Sequence, residues 1–90
     1  MITVYHYPAT QQFSEKRVPD TLESLQALVG GFIEVVYDHP AIEELKQILS
    51  LKGKYILVVN EEGLIKNLPP NQYVAGIVGD CFFMRSKDLK

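Results

Sequence analysis

A chain of 90 residues with one cysteine, Cys81, cannot close an internal disulfide, which suits a reducing compartment. Its first residues carry no cationic stretch and no long apolar core, so no secretory leader is expected. The longest apolar runs, such as residues 55–59, are far too short to span a bilayer. A cytoplasmic protein without a membrane partner is the expectation. The chain also lacks a basic stripe. Nine Lys and Arg stand against eleven Asp and Glu, and the cations read as scattered over a solvated surface (Lys16 and Arg17, Lys52 and Lys54, Arg85 and Lys87). A net charge of −2 disfavours nucleic acid as a partner, because its binders concentrate cations to neutralise phosphates.

The usual marks of catalysis are missing as well. His6 and His39 have no partner at metal-ligand spacing, and there is no HxxxH or CxxC element. Ser14, Ser24, Ser50 and Ser86 lie outside any nucleophile-elbow context. No GxGxxG follows a strand pattern. Cys81, with Phe82 and Phe83 after it, reads as a small buried hydrophobe. An enzyme is therefore the least supported class, and neither a metal nor a cofactor is expected.

What is present is one domain's worth of patterned sequence, 47% hydrophobic, with no internal repeat and no low-complexity linker. At this length the core is modest, and pairing with a second copy would add to it. Residues 2–7 are rich in β-branched and aromatic side chains and stop at Pro8, which predicts a strand. Residues 13–18 read as an edge strand. Asp20 with Glu23 three positions on suggests a capping box, and Leu22, Leu25, Leu28 and Val29 then recur at helical spacing. Gly30 stands where a left-handed residue would end that helix. Residues 32–37 read as a strand, and residues 40–49 as a helix capped at Asp38 or His39. Pro40 lies in its first turn, and Ile42, Leu45, Ile48 and Leu49 face the core. Residues 55–59 are apolar without alternation, as in a strand buried on both faces. Asn60-Glu61-Glu62-Gly63 predicts a type I turn closed by a left-handed glycine, with residues 64–68 returning antiparallel. After Pro69-Pro70, residues 71–76 read as turn or short helix. Residues 77–84 read as the last strand, with Gly79 a bulge or close-approach point, and residues 86–90 as a frayed polar tail. The fold class is α+β: a small mixed, mostly antiparallel sheet of four to five strands with two short helices packed on it.

Three segments stand out: Val29-Gly30-Gly31-Phe32-Ile33-Glu34; Asn60-Glu61-Glu62-Gly63 with Lys66, Leu68, Pro69 and Asn71; and the step Gly79-Asp80. In order and spacing they resemble a family of small uncharacterised bacterial, phage and plasmid proteins, known as a domain of unknown function. The resemblance spans about residues 22–83. It implies a setting, mobile elements and their hosts, and no activity.

Four residues of these segments are candidates for ligand binding: Gly31, Glu34, Lys66 and Asn71. Alternation puts Phe32, Glu34 and Val36 on one strand face, so a carboxylate lies between apolar neighbours and could hold a ligand group. The same residue on a wet face, or paired with Lys66, would need no ligand. Gly30-Gly31 could form an anion nest or simply turn the chain out of a helix. Asn71 could read a ligand edge or cap the next turn. Glu61 and Glu62, adjacent in a turn, give no reason for the divergent pKa values of an acid–base pair. Five tyrosines read as core and rim, and could also form a platform for a planar ligand or a protein. The expectation is a small non-enzymatic binding protein, one that forms oligomers with its own copies. Its partner would be a small, nucleotide-like ligand near Glu34, or a host protein docked on a strand edge or helix face.

Overall fold

The computed structural model describes residues 1–89, and Lys90 lies outside them. Strand β1 (Ile2–Tyr7) pairs antiparallel with β2 (Ser14–Val18) on one side and with β5 (Cys81–Arg85) on the other. Strand β4 (Tyr55–Asn60) pairs antiparallel with β5 and with β3 (Ile33–Val36). The order β2-β1-β5-β4-β3 leaves β2 and β3 as the edges. Helices α1 (Leu22–Val29) and α2 (Pro40–Ile48) complete the α+β architecture read from the sequence.

The two helices cover opposite faces of the sheet. Leu25, Leu28 and Val29 of α1 pack on Val4, Ile56, Val58, Phe82 and Met84. Ile42 and Leu45 of α2 pack on Leu57, Val59, Cys81 and Phe83. Each central strand therefore sends alternate side chains into two separate cores. This explains why every residue of β4 is buried and why its sequence shows no alternation.

Local signals placed most element ends. Gly30 is left-handed at φ 75°, and its N–H donates to the Gln26 carbonyl at 2.9 Å. His39 caps α2, its Nδ1 accepting from the Ala41 N–H at 3.0 Å, with Pro40 in the first turn. The cap of α1 is Thr21 rather than Asp20: the Thr21 hydroxyl accepts from the Ser24 N–H, which shifts the predicted box by one residue. Leu22, the first residue of α1, and Ile48, the last of α2, belong to the predicted core stripes but are exposed; α1 buries only Leu25, Leu28 and Val29, and α2 only Ile42 and Leu45.

The largest correction lies after β4. Residues 61–67 form successive turns, so the predicted return strand 64–68 does not exist. The Lys66 N–H donates to the Glu62 carbonyl and the Leu68 N–H to the Gly63 carbonyl, closing helical-type turns where a ladder was expected. Gly63 is not left-handed, and Asn67 takes the positive φ of 55° instead. The last strand is correspondingly shorter than predicted. Only an isolated bridge, Pro70 to Val78, precedes it. Nor is the tail simply frayed: Ser86–Asp88 form a 3₁₀ turn, with Arg85 and Asp88 paired at 3.1 Å, and Leu89 packs against the α1-side core.

Candidate functional site

The three segments singled out in the sequence meet at one end of the sheet, and most of their residues hold one another. The Asn60 Nδ2 donates to the Val29 carbonyl at 3.0 Å, while its Oδ1 accepts from the Glu62 N–H at 2.8 Å. Gly31 passes so close to Asn60 that a Cβ there would stand 3.0 Å from its Nδ2 and 3.4 Å from the Lys66 Nζ. The Gly79 N–H donates to the Pro69 carbonyl at 2.7 Å, and a Cβ on Gly79 would lie 2.7 Å from the Leu68 side chain. Asp80 accepts from the Ala9 N–H at 2.8 Å. These contacts clasp the segment 61–80 over the ends of β1, β4 and β5.

Asn71 is the centre of the clasp. Its Nδ2 donates to the Tyr7 carbonyl at 2.8 Å and the Gly79 carbonyl at 3.0 Å. Its Oδ1 accepts from the Tyr73 N–H at 2.9 Å and the Val74 N–H at 3.1 Å. The amide is buried and its hydrogen-bonding capacity is spent on backbone, which is the turn-capping alternative for this residue. The N–H groups of Gly30 and Gly31 both donate to the Gln26 carbonyl, so they make a helix end rather than an anion nest. Lys66 pairs with Glu62 at 3.4 Å.

Glu34 lies apart from Asn71. It is exposed and lines an open cleft of about 320 Å³ with Glu61, Val59, Leu64, Ile65 and Ile77. No cationic residue lines this cleft. Neither Glu34 nor Glu61 makes an ion pair with any described residue. Of the four candidate binding residues, Glu34 alone lines this cleft.

The cavity that the sequence did not reveal lies at the other end of β4. Lys52, Gly53 and Lys54 precede this strand, and Arg85 ends β5, which runs antiparallel beside it, with Ser86 and Lys87 directly after. The Ser86 N–H donates to the Lys54 carbonyl at 2.8 Å and ties the two segments together. Four of the nine cationic residues thus line one open cavity of about 390 Å³. Arg85 is partly neutralised by Asp88, but Lys52, Lys54 and Lys87 have no carboxylate partner among the described residues. Arg85 also borders a second cleft, of about 300 Å³, with Thr3, Tyr5, Glu15 and Tyr55. The two tyrosine rings stand 6.4 Å apart there. Burial and the neighbouring Tyr55 and Glu15 push the Tyr5 hydroxyl pKa up, so it stays a neutral donor. The signal was present as two short basic pairs, but their convergence depends on a strand pairing that sequence spacing does not report.

Tyr7, Cys81 and His6 are packed into the fold, whereas Tyr37 is exposed. Tyr7 stacks on Phe13 with centroids 5.1 Å apart and meets Tyr73 and Phe83 edge-on, and these rings line an open apolar cleft of about 230 Å³ against Leu45 and Ile48 of α2. Cys81 is fully buried, and desolvation pushes its thiol up to about 12. His6 is buried, its Nε2 lies 2.8 Å from the Leu28 carbonyl, and its Nδ1 has no partner. Desolvation lowers its pKa from 6.5. Among the described residues, no group of three or more His, Cys, Asp or Glu is placed to hold a metal ion. No helix is long and apolar enough to cross a membrane.

No curated protein and no solved structure matches the chain. A family model does, over residues 2–89, which takes in both strand edges, the clasp and both charged clefts. The chain belongs to the family described as Domain of unknown function (DUF3846).

Proposed function

We propose that this chain is a non-enzymatic binding protein whose ligand is a small phosphate-bearing molecule, of nucleotide-like chemistry, held in the basic cavity. One observation carries the reading: cationic side chains more than thirty positions apart in sequence converge on a single cavity, and three of them have no ion-pair partner among the described residues. Assembling like charges costs stability unless an anion offsets them, so such a cavity favours a phosphate. The adjoining cleft supplies Tyr5, Tyr55 and the Thr3 hydroxyl beside Arg85, which suits the polar planar part of a nucleotide. The cleft at Glu34 has the opposite character. Two carboxylates with no cation beside them would repel a phosphate, so the proposed ligand sits away from Glu34. The setting implied by the resemblance, a phage or other mobile element in a bacterial cytoplasm, suits a small ligand-responsive protein of this kind.

Thermal melting across a panel of nucleotides, with pyrophosphate as the minimal probe, tests the proposal. A ligand at a hundred times its Kd would add about 2.7 kcal/mol to stability. The doubly reversed variant K52E/K54E should bind the same ligand roughly tenfold more weakly or worse while melting normally without it. A panel with no response, or a response that survives the double reversal, contradicts the reading.

A further inference from the structure

The two sheet edges differ in kind. Edge strand β2 reads Ser-Glu-Lys-Arg-Val, and its charged side chains discourage pairing with another chain. Edge strand β3 reads Ile-Glu-Val-Val and is flanked by Phe32 and Tyr37, both more than half exposed. The Glu61 N–H donates to the Phe32 carbonyl at 2.9 Å, which fixes the alternation: Glu34 and Val36 bond to β4, while Ile33 and Val35 turn their N–H and C=O groups outward. No backbone group of another described segment bonds to those two residues. Beside the edge runs the acidic cleft, with Leu64 and Ile65 each 84% exposed on its wall.

We propose that the β3 edge docks an extended segment of a partner protein, added antiparallel as a sixth strand, with a Lys or Arg opposite Glu34. The outward groups of Ile33 and Val35 offer four backbone hydrogen bonds. Glu34 between them occupies a non-hydrogen-bonded position relative to the incoming strand, where facing side chains come closest. Neither Glu34 nor Glu61 has a cation among the described residues, so a basic residue gains an ion pair without breaking one. A second copy paired about Glu34 sets Glu34 against Glu34, and one paired about Val35 sets Glu34 against Val36, so neither register gives Glu34 a cation. The exposed Leu64 and Ile65 would cover alternate apolar side chains of the added strand. This surface does not depend on the basic cavity at the far end of β4.

The test uses fluorescent heptapeptides of alternating valine and threonine with Lys, Ala or Glu at the centre. The Lys peptide should bind roughly fivefold more tightly than the Ala peptide, and the Glu peptide more weakly than both. Binding should slow hydrogen exchange at the Ile33 and Val35 amides. Val35→Pro removes one outward N–H and none of the bonds to β4, and trims a side chain that packs on the α1-side core, so it should abolish binding while the protein still melts cooperatively at a lower temperature. Glu34→Lys should reverse the preference to the Glu peptide, and K52E/K54E should bind the peptides like the unaltered protein. Failure of all three peptides at millimolar concentration, equal affinity for all three, or protection elsewhere overturns the proposal. So does a homodimer in sedimentation that Val35→Pro dissociates, since it assigns the edge to a second copy.

Discussion

Among single residues, Asn71 shows how a polar side chain in a signature can be explained by folding alone. Replacing it with alanine strands two carbonyls and two N–H groups in a mostly buried setting, and should cost about 3 kcal/mol in chemical denaturation. Asn71→Asp should do no better, because a carboxylate would face the Tyr7 and Gly79 carbonyls. Cys81, buried with its thiol pushed up to about 12, should resist alkylating reagents in the folded protein and react fully in denaturant. His6 sets a pH dependence whose sign follows from its lowered pKa. Above about 6.5 the ring is neutral in folded and unfolded chains alike, and stability is at its full value. As pH falls below that point the unfolded chain takes up a proton that the folded chain refuses, so stability drops by up to about 1.4 kcal/mol per pH unit, levelling off below the folded pKa. His6→Gln should flatten the melting temperature between pH 7 and 5. The sequence marked Cys81 as buried and offered turn capping as one reading of Asn71, but it could not show the bond from Asn71 to Tyr7 or from His6 to Leu28, because those partners are backbone groups distant in the chain.

Elements were legible in proportion to how local their causes are. The β-branched run of β1, the Gly30 helix end and the His39-Pro40 helix start are decided within a few residues, and each was readable. The segment after β4 was not. Asn-Glu-Glu-Gly satisfies the local grammar of a hairpin, yet Asn60 spends its amide on the Val29 carbonyl and Gly63 is required by close packing. A Cβ on Gly63 would lie 2.7 Å from the Val78 side chain, so the glycine answers a tertiary contact rather than a left-handed turn. Gly63→Ala should therefore destabilise the protein and shift the amide resonances of Val78 and its neighbours, whereas a hairpin-turn glycine would disturb only residues 60–64.

For the whole molecule, the chain is electrically polarised in a way its net charge of −2 conceals. Along β4 the surroundings pass from Lys52 and Lys54 at one end to Glu61 and Glu62 at the other, with Arg85 and Lys87 joining the basic end through the neighbouring strand. Counting residues gave the sum of the charges; strand pairing decides where they collect. The three glycine-bearing segments gather at the acidic end and are consumed mainly in clasping the chain, whereas the proposed ligand site lies outside them. Chemical-shift perturbation of the backbone amides on titration with a nucleoside diphosphate separates these roles most directly. The account predicts shifts concentrated at residues 52–55 and 85–87, with the amides around Glu34 and Asn60 unmoved. Shifts centred on Glu34, or none at any concentration, would contradict it.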